Sequence, residues 1–265
     1  MFHEIVSVKM ENILDVKLII YCVSGIAASF LLLLCLVPVF IKNKRQKGAF
    51  IQGAYRSNFA ILGVPLAGSF FGPVGSGTAA LVLPFAVILF NILAVAVLAM
   101  NAENSDNTGI VGKIVSGIIK NPLIIAIALA MPFMFLEISF PPLIKKSMDY
   151  IANMSMPLAL ISLGAGIDLQ ILKSKVKLSP AASLLRTVLC PVIFVTPAVL
   201  LGFRDAALVV IFVLFSAPTA VSSYIMAKNM KSDYELAGQI VALTTVICPV
   251  TVFLGSFVLK SLGLI

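Results

Sequence analysis

A succession of apolar stretches, each long enough to cross a bilayer, constrains this chain more than any other feature. A membrane-spanning helix needs about 20 mostly apolar residues. Eight such spans follow one another, at roughly 17–41, 55–71, 77–100, 119–138, 143–165, 180–201, 206–228 and 234–260. Only 11% of the residues are charged and 60% are hydrophobic, whereas a soluble domain has about 25% charged residues. The sequence therefore predicts an all-α integral membrane protein with eight transmembrane helices.

The basic residues alternate between the two predicted faces of the membrane. Most of the 19 lysines and arginines follow the odd-numbered spans: Lys42, Lys44, Arg45, Lys47, Arg56, Lys113, Lys120, Lys173, Lys175, Lys177, Arg186, Lys228 and Lys231. By the positive-inside rule these loops are cytoplasmic, which predicts a multi-pass protein of the cell (plasma) membrane with both termini extracytoplasmic. No soluble stretch is long enough to form a basic domain, so the net charge of +8 does not indicate nucleic-acid binding.

Spans 1–3 and spans 6–8 share an order of features. In each trio the second span is interrupted, by Gly63 and Pro65 in the first and by Pro218 in the second. The third span has a central proline, Pro84 or Pro249. Because the two trios enter the membrane from opposite sides, they form an inverted repeat, which many secondary transporters use for alternating access. We therefore expect the interrupted spans to be broken and to cross near the bilayer midplane.

This repeat predicts how the chain is organised. A polar lead-in (1–16) precedes the first half of a three-plus-three-helix module (17–100), a cytoplasmic loop (101–118), a helix pair (119–168) and the second half (178–265). The helix pair has no counterpart ahead of the first trio. An intact repeat would need two further helices before the first residue.

Five short motifs follow one another along the chain, at 56–66 (RSNFAILGVPL), 121–123 (NPL), 157–164 (PLALISLG), 217–228 (APTAVSSYIMAK) and 247–251 (ICPVT). In sequence and in order they resemble the auxin efflux carrier family, which includes bacterial carboxylate permeases and plant PIN-type carriers. The plant carriers have a proline immediately before the asparagine of the first motif. Ser57 stands at that position here.

The resemblance implies a ten-helix fold of two inverted five-helix halves, of which this chain holds eight helices. In the family a transport module, here spans 1–3 and 6–8, moves against a scaffold that also makes the dimer contacts. The implied function is transport of small organic anions such as carboxylates by alternating access, with a proton or sodium as the candidate coupling ion and a homodimer as the candidate assembly. With half of the scaffold absent, this chain is expected to insert into the lipid bilayer but to transport little.

The candidate substrate-binding residues cluster at the two interrupted spans. They are Ser57, Asn58, Gly63, Pro65, Ser216, Pro218, Thr219, Ser222 and Ser223. A broken helix offers unpaired backbone groups, and the N-terminal end of a half-helix favours an anion. The alternative for the serines is that they hold neighbouring helices together, at about 0.6 kcal/mol per contact. For Asn58, Pro65 and Pro218 the matching places in the repeat favour a binding role.

The remaining polar residues give no sign of catalysis or of a cofactor. Four ionisable residues near span ends are interpreted as interfacial charges: Glu137, Asp168, Arg186 and Glu235. The four cysteines are widely separated in apolar runs, and neither catalytic motifs nor metal-ligand spacings occur. No cofactor and no metal is predicted, and the protein is predicted not to be an enzyme. The alternatives to a carrier are a truncated, non-transporting membrane subunit and, less favoured, an intramembrane enzyme.

Overall fold

The computed structural model describes residues 15–101, 112, 119, 122–136, 140–165 and 178–265. In this part of the chain the structure is helical apart from short links. The helices are α1 (Val16–Phe40), α2 (Lys44–Tyr55), α3 (Phe59–Met100), α4 (Pro122–Phe135), α5 (Pro142–Ala165), α6 (Leu178–Leu200), α7 (Asp205–Ser216), α8 (Ser222–Asn229) and α9 (Tyr234–Ser261).

Short polar side chains start three of these helices. Asp15 accepts a hydrogen bond from the Leu18 amide at 3.0 Å ahead of α1, and Asp233 accepts one from the Leu236 amide at 3.0 Å ahead of α9. Asn43 caps α2 in the same way. Each cap satisfies an amide that has no partner within the helix.

Helix α3 folds back on itself at Phe71 and Gly72. Gly72 has φ 55° and ψ −139°, a combination that is open almost only to glycine. A methyl group on Gly75 would overlap the carbonyl oxygen of Ala67, although residues eight apart in a straight helix are about 12 Å from each other. The arms 59–70 and 73–100 therefore pack side by side. The first lies within the predicted span 55–71, and the second begins four residues before the predicted span 77–100.

Four helices of the described residues are long and apolar enough to cross a membrane: α1, α3, α6 and α9. Helix α7 is apolar but shorter. Large hydrophobic side chains face outward from these helices, such as Phe40, which is 81% exposed, and Val246, which is 75% exposed. Such a surface requires lipid as its solvent. The prediction of an α-helical, multi-pass integral membrane protein is confirmed at this level.

Helix α7 forms the centre of the packed part. Its residues from Leu208 to Ser216 are all buried, as expected for a helix that is apolar on every side. It contacts both α3 and α6. The C-terminal end of α7 is therefore fixed deep inside the protein.

Residues that the charge pattern assigns to one face meet in the structure. The Arg45 guanidinium and the Ser232 carbonyl are 3.5 Å apart, and the Ser232 hydroxyl donates to the Arg45 carbonyl at 2.9 Å. At the opposite end of the helices, the Lys17 ammonium donates to the Leu201 carbonyl at 2.9 Å. The start of α2 and the link 230–233 thus lie together, away from the start of α1.

Three sequence-based predictions are wrong. The first interrupted span is continuous at Gly63 and Pro65, which both lie inside α3, because the break occurs earlier, at 56–58. Arg56, assigned to a cytoplasmic loop, is 1% exposed. Arg186, assigned to a loop and to the membrane interface, is also 1% exposed. Both guanidiniums are buried because the broken helices meet around them.

Several predictions fall outside the described residues. These are the lead-in 1–14, most of the loop 101–118, the start of the 121–123 motif, Glu137, Asp168 and the basic loop 173–177.

Candidate functional site at the helix crossover

In the described part of the chain, two helices are broken by short links, and their breaks face each other. The link 56–58 separates α2 from α3, and the link 217–221 separates α7 from α8. Arg56 and Ala217, which begin the two links, have the extended φ and ψ values of −78° and 117° and of −59° and 148°. We call the place where these links meet the crossover.

The two links satisfy each other's backbone. The Asn58 amide donates to the Pro218 carbonyl at 2.8 Å. Ser57 and Thr219 form an antiparallel bridge. A non-helical backbone persists inside a membrane protein only where other parts of the protein satisfy it, and here each break provides partners for the other.

The C-terminal carbonyls of α2 receive side chains from the second half of the chain. The Thr219 hydroxyl donates to the Gly53 carbonyl at 2.6 Å, and the Cys190 thiol lies 3.8 Å from the Ala54 carbonyl. The Arg186 guanidinium donates to the Tyr55 carbonyl at 3.1 Å. These carbonyls have no partners within α2, so the end of one half-helix is capped by residues that lie more than 130 positions away.

Arg186 joins the C-terminal ends of both half-helices. Besides the Tyr55 carbonyl, its guanidinium donates from Nε to the Ala217 carbonyl at 2.9 Å and from Nη2 to the Leu214 carbonyl at 2.7 Å. The negative ends of the helix dipoles of α2 and α7 converge there. This role differs from the predicted interfacial charge, although an arginine well inside the apolar span 180–201 is a signal for a buried, functional position.

A π-helical turn carries Arg186. It spans Leu185–Leu189 within α6, and the Cys190 amide bonds to the Leu185 carbonyl, five residues back. The next residue, Pro191, has no N–H, and its ring would collide with the carbonyl four residues earlier in a regular α-helix. The widened turn avoids this collision, and such turns are frequent at functional sites.

Arg56 is the second buried arginine, and its partners are neutral. Its Nη2 donates to the Asn91 side-chain oxygen at 2.8 Å, and its Nη1 lies 2.7 Å from the Met226 sulfur. Asn91 is held in turn by a bond from its Nδ2 to the Val87 carbonyl at 2.7 Å. A guanidinium has five N–H donors. Among the described residues, no carboxylate pairs with Arg56.

Unpaired polar atoms surround the crossover. Among the described residues, the Ser57, Ser216 and Ser223 hydroxyls and the Gln52 side-chain oxygen are buried and have no hydrogen-bond partner. Such a group costs about 1–3 kcal/mol when it is left unpaired. The half-helices α3 and α8 begin next to Ser57 and Ser223, and neither start has a side-chain cap. Hydroxyl donors beside uncapped helix N-termini suit an anion.

The predicted site residues fall into three groups. The crossover brings together Ser57, Asn58, Pro218 and Thr219, with Ser216 and Ser223 at the adjoining helix ends. Ser222 is the first residue of α8 and is partly exposed. Gly63 and Pro65 lie further along α3, where Gly63 packs on the Phe59 ring and Pro65 is exposed.

A set of apolar membrane-length helices, with two broken helices paired at their breaks, defines the class of this molecule as a multi-pass membrane transport protein. A family model described as membrane transport protein matches residues 1–255. The chain belongs to that family, which is the auxin efflux carrier family that the motifs indicated. No curated protein matches the chain.

Proposed function

We propose that this protein is a secondary transporter, a permease or efflux carrier, that moves small organic anions such as carboxylates by alternating access. The observation that carries this proposal is Arg56, a buried guanidinium beside Asn58 whose bonded partners are both neutral. A buried charge is costly unless it is paired. A carboxylate at the crossover would provide that pair.

The N-terminal side of the crossover supplies the remaining donors. Asn58 has an amide with two donors and makes no cap bond with α3. The Ser57 and Ser223 hydroxyls are buried and unpaired. We assign the anion to this side, between the starts of α3 and α8, where both helix dipoles present their positive ends. Ser216, Pro218, Thr219 and Ser222 complete the proposed site as its backbone frame.

The proposed mechanism uses the inverted repeat. The regions 17–100 and 178–265 would form the moving module, and 119–168 would form part of the body against which it moves. The corresponding positions of the breaks in α2–α3 and in α7–α8 support this division. The charge pattern supports a plasma-membrane location with extracytoplasmic termini. A proton or sodium as coupling ion and a homodimer remain part of the proposal.

Binding and uptake of a dicarboxylate test the proposal separately. The purified chain is assayed for scintillation-proximity binding of radiolabelled malate, and the same preparation is reconstituted into liposomes for uptake. We expect saturable binding that unlabelled carboxylates compete for. Binding without uptake would favour a non-transporting membrane subunit, and absence of both would contradict an anion carrier.

A further inference from the structure

Three backbone carbonyls at the C-terminal ends of two helices converge on one point of the crossover. They belong to Tyr55 at the end of α2 and to Leu214 and Ala217 at the end of α7, and they lie 2.7–3.1 Å from the guanidinium of Arg186. Carbonyls at the C-terminal ends of broken helices are the groups that bind a coupling cation in several transporter folds. In this chain a side chain lies among them.

We infer that Arg186 is a built-in cation that holds the C-terminal ends of α2 and α7 together, in the place of a mobile metal cation. What the inference says about sodium as a coupling ion rests on the proposed transport function. The C-terminal side of the crossover is then closed to sodium, and its positive charge is independent of any ion gradient. Arg186 is a positioning residue, because it fixes the frame on which Asn58 and Ser57 are carried.

The charges on this side balance. Each helix C-terminus is equivalent to about −0.5 elementary charge, so two of them offset about one positive charge. The Arg186 guanidinium supplies that charge and is buried without any need for a carboxylate. Within the described ranges, Arg56 has no comparable set of carbonyl partners. The two arginines therefore have different roles. The charge of Arg186 is offset by the helix carbonyls, whereas the charge of Arg56 can pair with a bound anion.

The shape of the guanidinium fits this place better than a point charge would. Three of its nitrogen atoms donate in different directions, to one carbonyl of α2 and to two at the end of α7. A lysine ammonium lacks this planar fork. Neighbouring thiols take up other carbonyls of the same ends, since Cys190 lies 3.8 Å from the Ala54 carbonyl and Cys248 lies 3.7 Å from that of Ser216.

Chemical rescue with free guanidinium tests this inference. In Arg186→Ala the three carbonyls lose their donor, and we expect the melting temperature in detergent to fall by about 10 °C. Guanidinium chloride at about 20 mM, where denaturation contributes little, should restore part of the loss and should restore malate affinity. The same concentrations of sodium chloride and urea are the controls. Wild-type protein should not respond to guanidinium.

A matched variant and a conservative variant make the result decisive. Arg204→Ala also removes an arginine that donates to carbonyls, those of Val199 and Phe203, but Arg204 is exposed, so water replaces it. We expect it to behave as wild type. If Arg186→Ala cannot be purified, Arg186→Gln, which keeps donors but no charge, is measured instead and should also be destabilised.

Arg186→Ala or Arg186→Gln as stable as wild type, or an Arg186→Ala protein that guanidinium does not stabilise, would overturn the inference. Stabilisation of Arg186→Ala by sodium alone to the same extent would overturn the guanidinium-specific fit. A wild-type protein that binds no carboxylate would overturn the proposed function only, because the thermal rescue does not depend on a substrate.

Discussion

Arg56 and Arg186 are both buried at the crossover, but they bond to different kinds of partner. Arg186 donates to three carbonyls at helix C-termini. Arg56 contacts an amide oxygen and a thioether sulfur. Because sulfur is a weak acceptor, Arg56 keeps most of its capacity to bind an anion. At the scale of single residues, this difference separates a residue that holds the fold from one that is available for a ligand.

Arg56→Gln should weaken malate binding about 10- to 100-fold, because a hydrogen bond to a charged group contributes about 1.5–3 kcal/mol. Equilibrium binding to the purified protein measures the change. Arg204→Gln, an exposed arginine outside the crossover, is the control and should bind as wild type. An unchanged affinity in Arg56→Gln would remove Arg56 from the site.

Asn58→Ala should abolish malate binding and leave folding nearly intact, since the Asn58 side chain makes no cap bond with α3. Asn91→Ala is the contrasting variant, because Asn91 is fully buried and bonds both Arg56 and the Val87 carbonyl. It should lower the melting temperature clearly. If Asn58→Ala bound malate normally, or unfolded, the role of Asn58 as a helix-packing residue would be favoured instead.

At the scale of elements, the end of α2 packs closely on α9. A Cβ atom on Gly53 would lie 2.8 Å from the Ile240 Cδ1 atom and 2.9 Å from its Cγ2 atom. The same residue's carbonyl accepts the Thr219 hydroxyl. Glycine therefore lets α2, α9 and the 217–221 link approach one another at the crossover.

Gly53→Ala should lower the melting temperature by about 3–10 °C, since overpacking a tight contact costs about 1–3 kcal/mol. Differential scanning fluorimetry in detergent measures it. Gly77→Ala, in the second arm of α3, is the matched control: a Cβ there meets nothing within 4 Å, and alanine favours a helix over glycine. Equal stability of the two variants would show that α2 and α9 can separate at no cost.

At the scale of the whole molecule, the helices place the charge groups at two opposite ends. Arg45 at the start of α2 contacts Ser232 in the link 230–233, whereas Lys17 contacts Leu201 at the other end. The positive-inside rule assigns the first end to the cytoplasm.

A cysteine introduced as Lys231→Cys should react with a membrane-impermeant maleimide only from the cytoplasmic side, and one introduced as Arg204→Cys only from outside. Both positions are exposed. The measurement compares intact cells with inverted vesicles, in a background without the native cysteines. Labelling in the reverse pattern would invert the proposed orientation, and labelling of both from one side would contradict the arrangement of the helices.

The sequence alone determined the class of the fold and the family. Long apolar stretches require lipid whatever their neighbours are, and motifs such as 217–228 are local, so both can be recognised without a structure. The break near Pro218 was also predictable, because the polar residues and the proline that produce it are adjacent in sequence.

The tertiary structure decided where the first of the two interrupted spans breaks, and which partners Arg56 and Arg186 bind. Gly63 and Pro65 looked like a break, but a helix tolerates them, and the actual break depends on Ser57 and Asn58 pairing with residues about 160 positions away. The burial of the two arginines likewise depends on carbonyls, an amide and a sulfur that distant helices bring to them. Because these partners are far away in sequence, the residues next to each arginine do not predict them.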